Sequence, residues 1–142
     1  GVFLAVEPMH PGCAAEWTFV NSLDDAARLL DEVGSDRLKL VFDTYHLGQE
    51  PDAPERAEEI APRIAIVQLG DARKPPEGEQ DRCPLGQGNI PLEEIVGALR
   101  AGGYEGFFDV ELLGEEMESW DYQELLAHAK AAFAQLRLSG AE

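Results

Sequence analysis

Leu38-Lys-Leu-Val-Phe-Asp43 and Ile64-Ala-Ile-Val-Gln-Leu69 are two short apolar runs separated by a charged stretch that carries Pro54. Each run has the length of a strand, and Pro54 sits where the first turn of a helix tolerates proline. The segment therefore reads as a β-α-β unit whose two strands run parallel. The same alternation continues in both directions. Upstream, residues 2–7 read as a strand, 8–21 as a Pro/Gly-bearing loop, and a helix begins near Ser22 and ends at Gly34. Ser22 and Asp25 form an N-cap pair, and Ala26, Leu29, Leu30 and Val33 recur at helical spacing. Downstream, a long loop rich in Pro, Gly and charge leads to a helical period over 91–100, then a fourth strand over 106–112. The last helix, 121–138, sets Leu125, Leu126, Ala129, Ala132, Phe133 and Leu136 on one stripe, with a polar tail at 139–142.

Length and charge bound what such a chain does. Its 142 residues, 44% of them hydrophobic, suit one domain that buries roughly 68–70% of its unfolded surface. The 28 acidic against 11 basic side chains leave a net charge of -17, which repels a polyanion and excludes nucleic acid as the expected partner. No apolar run approaches the ~20 residues of a bilayer span, and no basic-then-apolar leader opens the sequence, so no membrane association is expected. Cys13 and Cys83 are too few for a disulfide framework or a structural zinc site. A soluble, cytoplasmic protein is the expectation. The opening residues already read as a buried strand with no lead-in, so the chain is expected to be part of a larger fold.

Four strand-helix units imply an α/β fold, either a doubly wound sheet or a barrel. No Gly-rich phosphate turn follows the first strand. A (β/α)8 barrel places its chemistry at the C-terminal strand ends and takes about 250 residues, roughly twice what is present. The strand ends are informative in this respect. Strand one ends in Glu7, strand two in Asp43, strand three carries Gln68 and strand four Glu111. Alternation groups Gln68 with Ile64 and Ile66, and groups Phe107, Asp109 and Glu111 opposite an apolar, helix-facing side. Asp109, one layer below Glu111, reads as a partner of Lys39 or of an interior hydrogen-bond network. Carboxylates on an interior face must be paired, hydrogen-bonded or bound to metal. Three carboxylates and a carboxamide converging from successive strands point to a divalent cation. Oxygen-only ligation favours Mg2+ or Mn2+, with Zn2+ and Co2+ also accommodated.

Several motifs occur together in order: Glu7-Pro8, Phe42-Asp-Thr-Tyr-His46, Ile66-Val-Gln-Leu-Gly-Asp-Ala72, Asp81-Arg82 followed by Gly86-Gln-Gly88, and Val110-Glu111. In this combination the chain resembles the xylose isomerase-like TIM-barrel superfamily, and within it the sugar (phosphate) isomerases and epimerases and the 3-dehydroshikimate dehydratases. The resemblance covers only the C-terminal half of that fold. It implies a (β/α)8 TIM barrel of which residues 1–142 supply the last four βα units. It also implies Glu7, Asp43, Gln68 and Glu111 as metal ligands, with Glu7 and Glu111 moving the proton. Gln68 departs from the commoner His of the family and resembles the dehydratase variant. Pro84-Leu85 departs from the usual proline immediately before the Gly-x-Gly turn. The superfamily also contains apurinic endonucleases, but three histidines and the net charge speak against that branch.

The implied reaction is metal-assisted proton abstraction next to a carbonyl on a sugar, sugar phosphate or inosose, giving epimerisation, isomerisation or, with loss of a hydroxyl, dehydration. His10 and His46 follow strand ends and are candidates for substrate hydroxyls, or else loop histidines bonded to backbone. Arg73 and Arg82 sit in the loop after strand three and suit a small anionic or polyhydroxylated substrate, or else a solvated loop. His128, within the last helix, reads as structural. Four strands with two unpaired edges imply a homo-oligomer or association with a missing N-terminal half, and a non-catalytic half-barrel fragment is the competing reading.

Overall fold

The structure, a computed structural model, describes residues 1–78 and 80–138. The polar tail expected at 139–142 lies outside the described residues. Four parallel strands form one sheet in chain order: β1 (Leu4–Val6), β2 (Leu38–Asp43), β3 (Ile64–Leu69) and β4 (Phe108–Val110). Helices α2 (Leu23–Val33), α4 (Ala53–Ile60), α5 (Leu92–Ala101) and α7 (Tyr122–Leu138) connect or follow the strands. Three four-residue helices, α1 (Pro11–Ala14), α3 (Thr44–Leu47) and α6 (Glu115–Glu118), lie in what reads from sequence as loop. Helices that short have too few residues to display a period.

The punctuation of α2 follows its residues. Ser22 Oγ accepts the Asp25 N–H at 3.1 Å, and Gly34 closes the helix at φ 60°, returning its N–H to the Leu30 carbonyl at 2.9 Å. The core lies between one face of the sheet and the helices. Leu40, Phe42, Val67 and Leu69 from the strands pack with Ala26, Leu30, Ala57, Ile95 and Leu99 from the helices. On the edge strand β4, Phe108 meets Phe133 of α7 with ring centroids 5.8 Å apart.

Four expectations are corrected. The outer strands are shorter than read, because each has one neighbour and its ladder ends where pairing does: β1 pairs with Leu38 to Leu40 alone. The register shifts at Leu40/Val41, which face Ile64 and Ile66, so Ala65 is an extra residue. That bulge turns Ile64 into the helix-side core with Val67 and Leu69, away from the Gln68 face. Leu126 is 46% exposed rather than on the buried stripe of α7, since among the described residues β4 is the last strand of the sheet and none lies beyond it for Leu126 to pack on. Asp109 pairs in register with Gln68, which pairs with Asp43; Lys39 lies four residues earlier, about 13 Å away along the sheet, so the two do not meet.

Tyr104 joins β3 to the chain entering β4. Its hydroxyl accepts the Val67 N–H at 3.1 Å and donates to the Phe107 carbonyl at 2.6 Å. His128 Nε2 lies 3.0 Å from the Leu85 carbonyl, where it ties α7 to the long loop after β3. Among the described residues no helix is long and apolar enough to cross a membrane.

Candidate metal centre

The C-terminal ends of the strands carry the polar groups. Asp43 closes β2 and also caps α3: its Oδ1 accepts the Tyr45 N–H at 2.7 Å. It is fully buried, and its Oδ2 accepts from Arg82 Nη2 at 3.1 Å. The same Nη2 donates to Glu111 Oε2 at 2.7 Å. Two carboxylates from strands that are not neighbours thus meet on one nitrogen. Arg82 is 3% exposed and lies over the Tyr45 ring, 4.0 Å from its centroid.

Glu7, at the end of β1, completes the acidic side. His46 Nε2 stands 3.6 Å from Glu7 Oε1 and 3.8 Å from Asp43 Oδ2. Glu7, Asp43 and His46 each offer a ligand atom within 4.8 Å of the others. His46 Nδ1, however, accepts the backbone N–H of His10 at 3.2 Å, so the neutral ring carries its proton on Nε2. Burial, with the Arg82 and His10 charges adding, pushes the His46 pKa down to about 4, so the neutral form prevails near pH 7. Nε2 therefore faces the two carboxylates beyond hydrogen-bond distance and has no hydrogen-bond partner among the described residues, whereas the oxygen atoms of the cluster are ligands that need no proton removed from a ring. Gln68, level with Asp43, supplies one: its Oε1 is buried without a hydrogen-bond partner among the described residues.

Electrostatically the cluster is acidic. Burial pushes the Asp43 carboxyl up to about 7 against the pull of Arg82 and the Tyr45 N–H, and the Glu111 and Glu7 charges push the same way as burial. With all three carboxyls ionised, as a bound cation favours, three carboxylates against one guanidinium leave a surplus of two negative charges, which a divalent ion neutralises. An orphaned carboxamide oxygen beside that surplus fits the same ion.

The loop after β3 delivers Arg82 to this point. Asp71, 1% exposed, accepts the N–H groups of Gly86 and Gly88 on Oδ2, each at 2.9 Å, and of Ala72 on Oδ1 at 2.9 Å. Its backbone pairs with Cys83, the residue after Arg82, at 2.9 Å. Thr44 locks the neighbouring corner by donating to the Gly70 carbonyl at 2.6 Å and accepting the Gly70 N–H at 3.0 Å. Asp71 and Thr44 stand within the quoted motifs, but their sequence assigns them no role. The available signal was a short polar residue one or two places after a strand, which often binds backbone.

The remaining candidates divide. His10 Nδ1 accepts the Gly12 N–H at 3.0 Å and caps α1, while His10 and His46 are among the residues that border a cavity of about 420 Å³ with Asn21, Glu50 and Arg56. Arg73 is held at the surface by Glu116 through two hydrogen bonds of 2.5 and 2.9 Å, whereas Arg82 enters the carboxylate cluster.

Comparison with known proteins agrees with this architecture. An inosose isomerase of Halalkalibacterium halodurans is 31% identical over 137 residues, covering 92% of this chain and 46% of the relative. A D-psicose 3-epimerase of Enterocloster bolteae is 28% identical over 113 residues, covering 74% of this chain and 35% of the relative. The crystal structure of the IOLI protein with a binding zinc atom superposes with TM-score 0.80 at 26% identity, covering 96% of this chain and 49% of that one. The chain spans about half the length of the curated relatives it matches, or less. The family model described as Xylose isomerase-like TIM barrel matches residues 1–136, and the chain belongs to that family.

Proposed function

We propose that residues 1–142 are the C-terminal portion of a barrel enzyme, a cytoplasmic isomerase or epimerase that depends on a divalent metal and acts next to a carbonyl on a sugar, sugar phosphate or inosose. The observation that carries this reading is the meeting of Asp43 and Glu111 on one Arg82 nitrogen, level with a Gln68 oxygen that has no hydrogen-bond partner among the described residues. Glu7, Asp43, Gln68 and Glu111 would hold the ion. When bound, it polarises the carbonyl and adjacent hydroxyl oxygens of the substrate.

The chain's own residues do the rest. Glu7 and Glu111 stand at the ends of the two outer strands, so a substrate between them has a carboxylate on each side. One removes the proton from the carbon beside the carbonyl, and the other returns a proton, to the opposite face for epimerisation or to the neighbouring carbon for isomerisation. His46 Nε2–H and the Arg82 guanidinium lie beside the carboxylates, where they would meet the oxygens of a substrate held there, and their burial keeps competing water away. Among the described residues β1 and β4 have no outer neighbour, and Val2 and Phe107, just before them, are 80% and 83% exposed, which favours a partner that closes the sheet, either an N-terminal half or a second copy.

The test is solvent exchange. Incubated in D2O with an inosose or a ketose, the enzyme should incorporate deuterium at the carbon beside the carbonyl, and chelation should abolish it. Glu7→Gln and Glu111→Gln should each slow exchange by on the order of 10²–10⁴-fold. Exchange that persists through chelation, or in both variants, would overturn the proposal.

A further inference from the structure

Asp43 and Gln68 face one another as the last paired residues of the β2–β3 ladder, and the metal reading takes an oxygen from each. Beyond that rung β2 stops pairing: the chain turns into α3 at Thr44, while β3 runs on through Leu69 to Gly70. The two backbones are therefore set to splay just where the paired side chains must keep their spacing. A hard divalent ion takes its oxygens at about 2.0–2.6 Å, here from strands about 4.8 Å apart. A displacement of about 0.2 Å at either strand end is already felt by the ion.

Thr44 bridges the two backbones with its side chain. Its hydroxyl donates to the Gly70 carbonyl at 2.6 Å and accepts the Gly70 N–H at 3.0 Å, so one side chain meets both backbone groups of one residue, as a further rung would. Thr44 and Gly70 are both buried, which keeps water from replacing either bond. The approach leaves no room for a side chain at 70, where a Cβ would stand 2.9 Å from Tyr45 Cβ. The clamp adjoins both proposed ligands, since Thr44 follows Asp43 directly and Gly70 lies two residues after Gln68.

We propose that Thr44 is a positioning residue of the metal centre: its paired hydrogen bonds with Gly70 hold Asp43 and Gln68 at the spacing the ion requires and so raise the affinity for it. The inference rests on the metal reading given above. Coupling of this kind is reciprocal, so a bound ion holds the Thr44–Gly70 clamp shut by the same factor.

Zn2+ titration by calorimetry tests the clamp, with the unsubstituted protein, Thr44→Val and Thr44→Ser compared at a temperature where all are folded. Valine keeps the branched shape without the hydroxyl and should weaken Zn2+ binding on the order of tenfold; serine keeps the hydroxyl and should bind within about threefold of the unsubstituted protein. A merely structural Thr44 would lower the unfolding midpoint of Thr44→Val and leave the Zn2+ affinity of the folded protein unchanged. That result, or equal weakening by valine and serine, overturns the proposal and leaves the metal reading standing. In the unsubstituted protein, exchange of the Gly70 amide should slow on the order of tenfold as Zn2+ saturates the site, and more than that of Gly34 at the end of α2. Should Thr44→Val fail to fold, this exchange decides alone, and a Gly70 amide slowed no more than Gly34 refutes the clamp. Absence of Zn2+ binding by the unsubstituted protein overturns the metal reading and this inference with it.

Discussion

Replacing Asp71 with Asn should loosen the whole loop that carries Arg82, and the size of the effect can be worked from the hydrogen bonds. The carboxylate accepts from Ala72, Gly86 and Gly88 at 2.9 Å and from Ile90 at 3.4 Å, from a residue that is 1% exposed. An asparagine keeps one acceptor oxygen and turns an NH2 group toward the backbone N–H donors that the carboxylate accepts. A buried donor left unsatisfied costs about 1–3 kcal/mol. Gly86 is exposed, so water can replace its bond, but Ala72 is fully buried and Gly88 partly so. With one of these two retained by the Asn oxygen and the charge-assisted character of both lost, the expected destabilisation is about 3 kcal/mol. Urea unfolding should show it as a lower midpoint with unchanged slope, and amide exchange should rise at Gly88 and Cys83. Asn89→Ala serves as control: it removes an exposed side-chain bond to the Arg73 carbonyl on the same loop and should cost under about 1 kcal/mol. If Asp71→Asn lost less than about 1 kcal/mol with those amides still protected, the carboxylate would not be what holds the loop.

Two further outcomes test the sheet and the buried thiol. Tyr104→Phe removes the hydroxyl that joins Val67 to Phe107; because the Val67 N–H also reaches the Phe107 carbonyl at 3.2 Å, the expected loss in urea unfolding is about 1–2 kcal/mol, and an unchanged midpoint would contradict the bridging role. Burial, with the Asp71 charge adding, pushes the Cys83 thiol from 9.0 up to about 11. A raised thiol pKa means less thiolate at a given pH, so alkylation of Cys83 by iodoacetamide at pH 8 should run about a hundredfold slower than that of an unstructured cysteine peptide, and comparable rates would refute the assignment.

Much of the framework was legible because it is encoded locally. The strand β3 matches its reading, the Ser22 cap and the Gly34 stop of α2 fall where their side chains require, and the acids that end β1 and β2 stand out against apolar runs. Such features depend on residues within one turn or one strand of each other. The bulge that turns Ile64 to the helix side and the register that sets Asp109 beside Gln68 do not, because each depends on how two strands slide past one another.

The candidate site divides in the same way. Glu7, Asp43, Gln68 and Glu111 were nameable from strand-end position, and Arg82 from its place in a basic loop. That Arg82 is the cation shared by Asp43 and Glu111 was not, since those bonds span 39 and 29 residues. Nor could sequence say that Arg73 would be occupied by Glu116, 43 residues away. What the sequence determined by itself is the alternation of strands and helices and the acidic strand ends, since periodicity and turn chemistry act over a few residues. Only the tertiary structure decided which cation stands between the carboxylates and on which nitrogen His46 holds its proton, because both follow from loops folding back over the strand ends: Asp71 gathering Gly86 and Gly88, and His10 giving its N–H to His46.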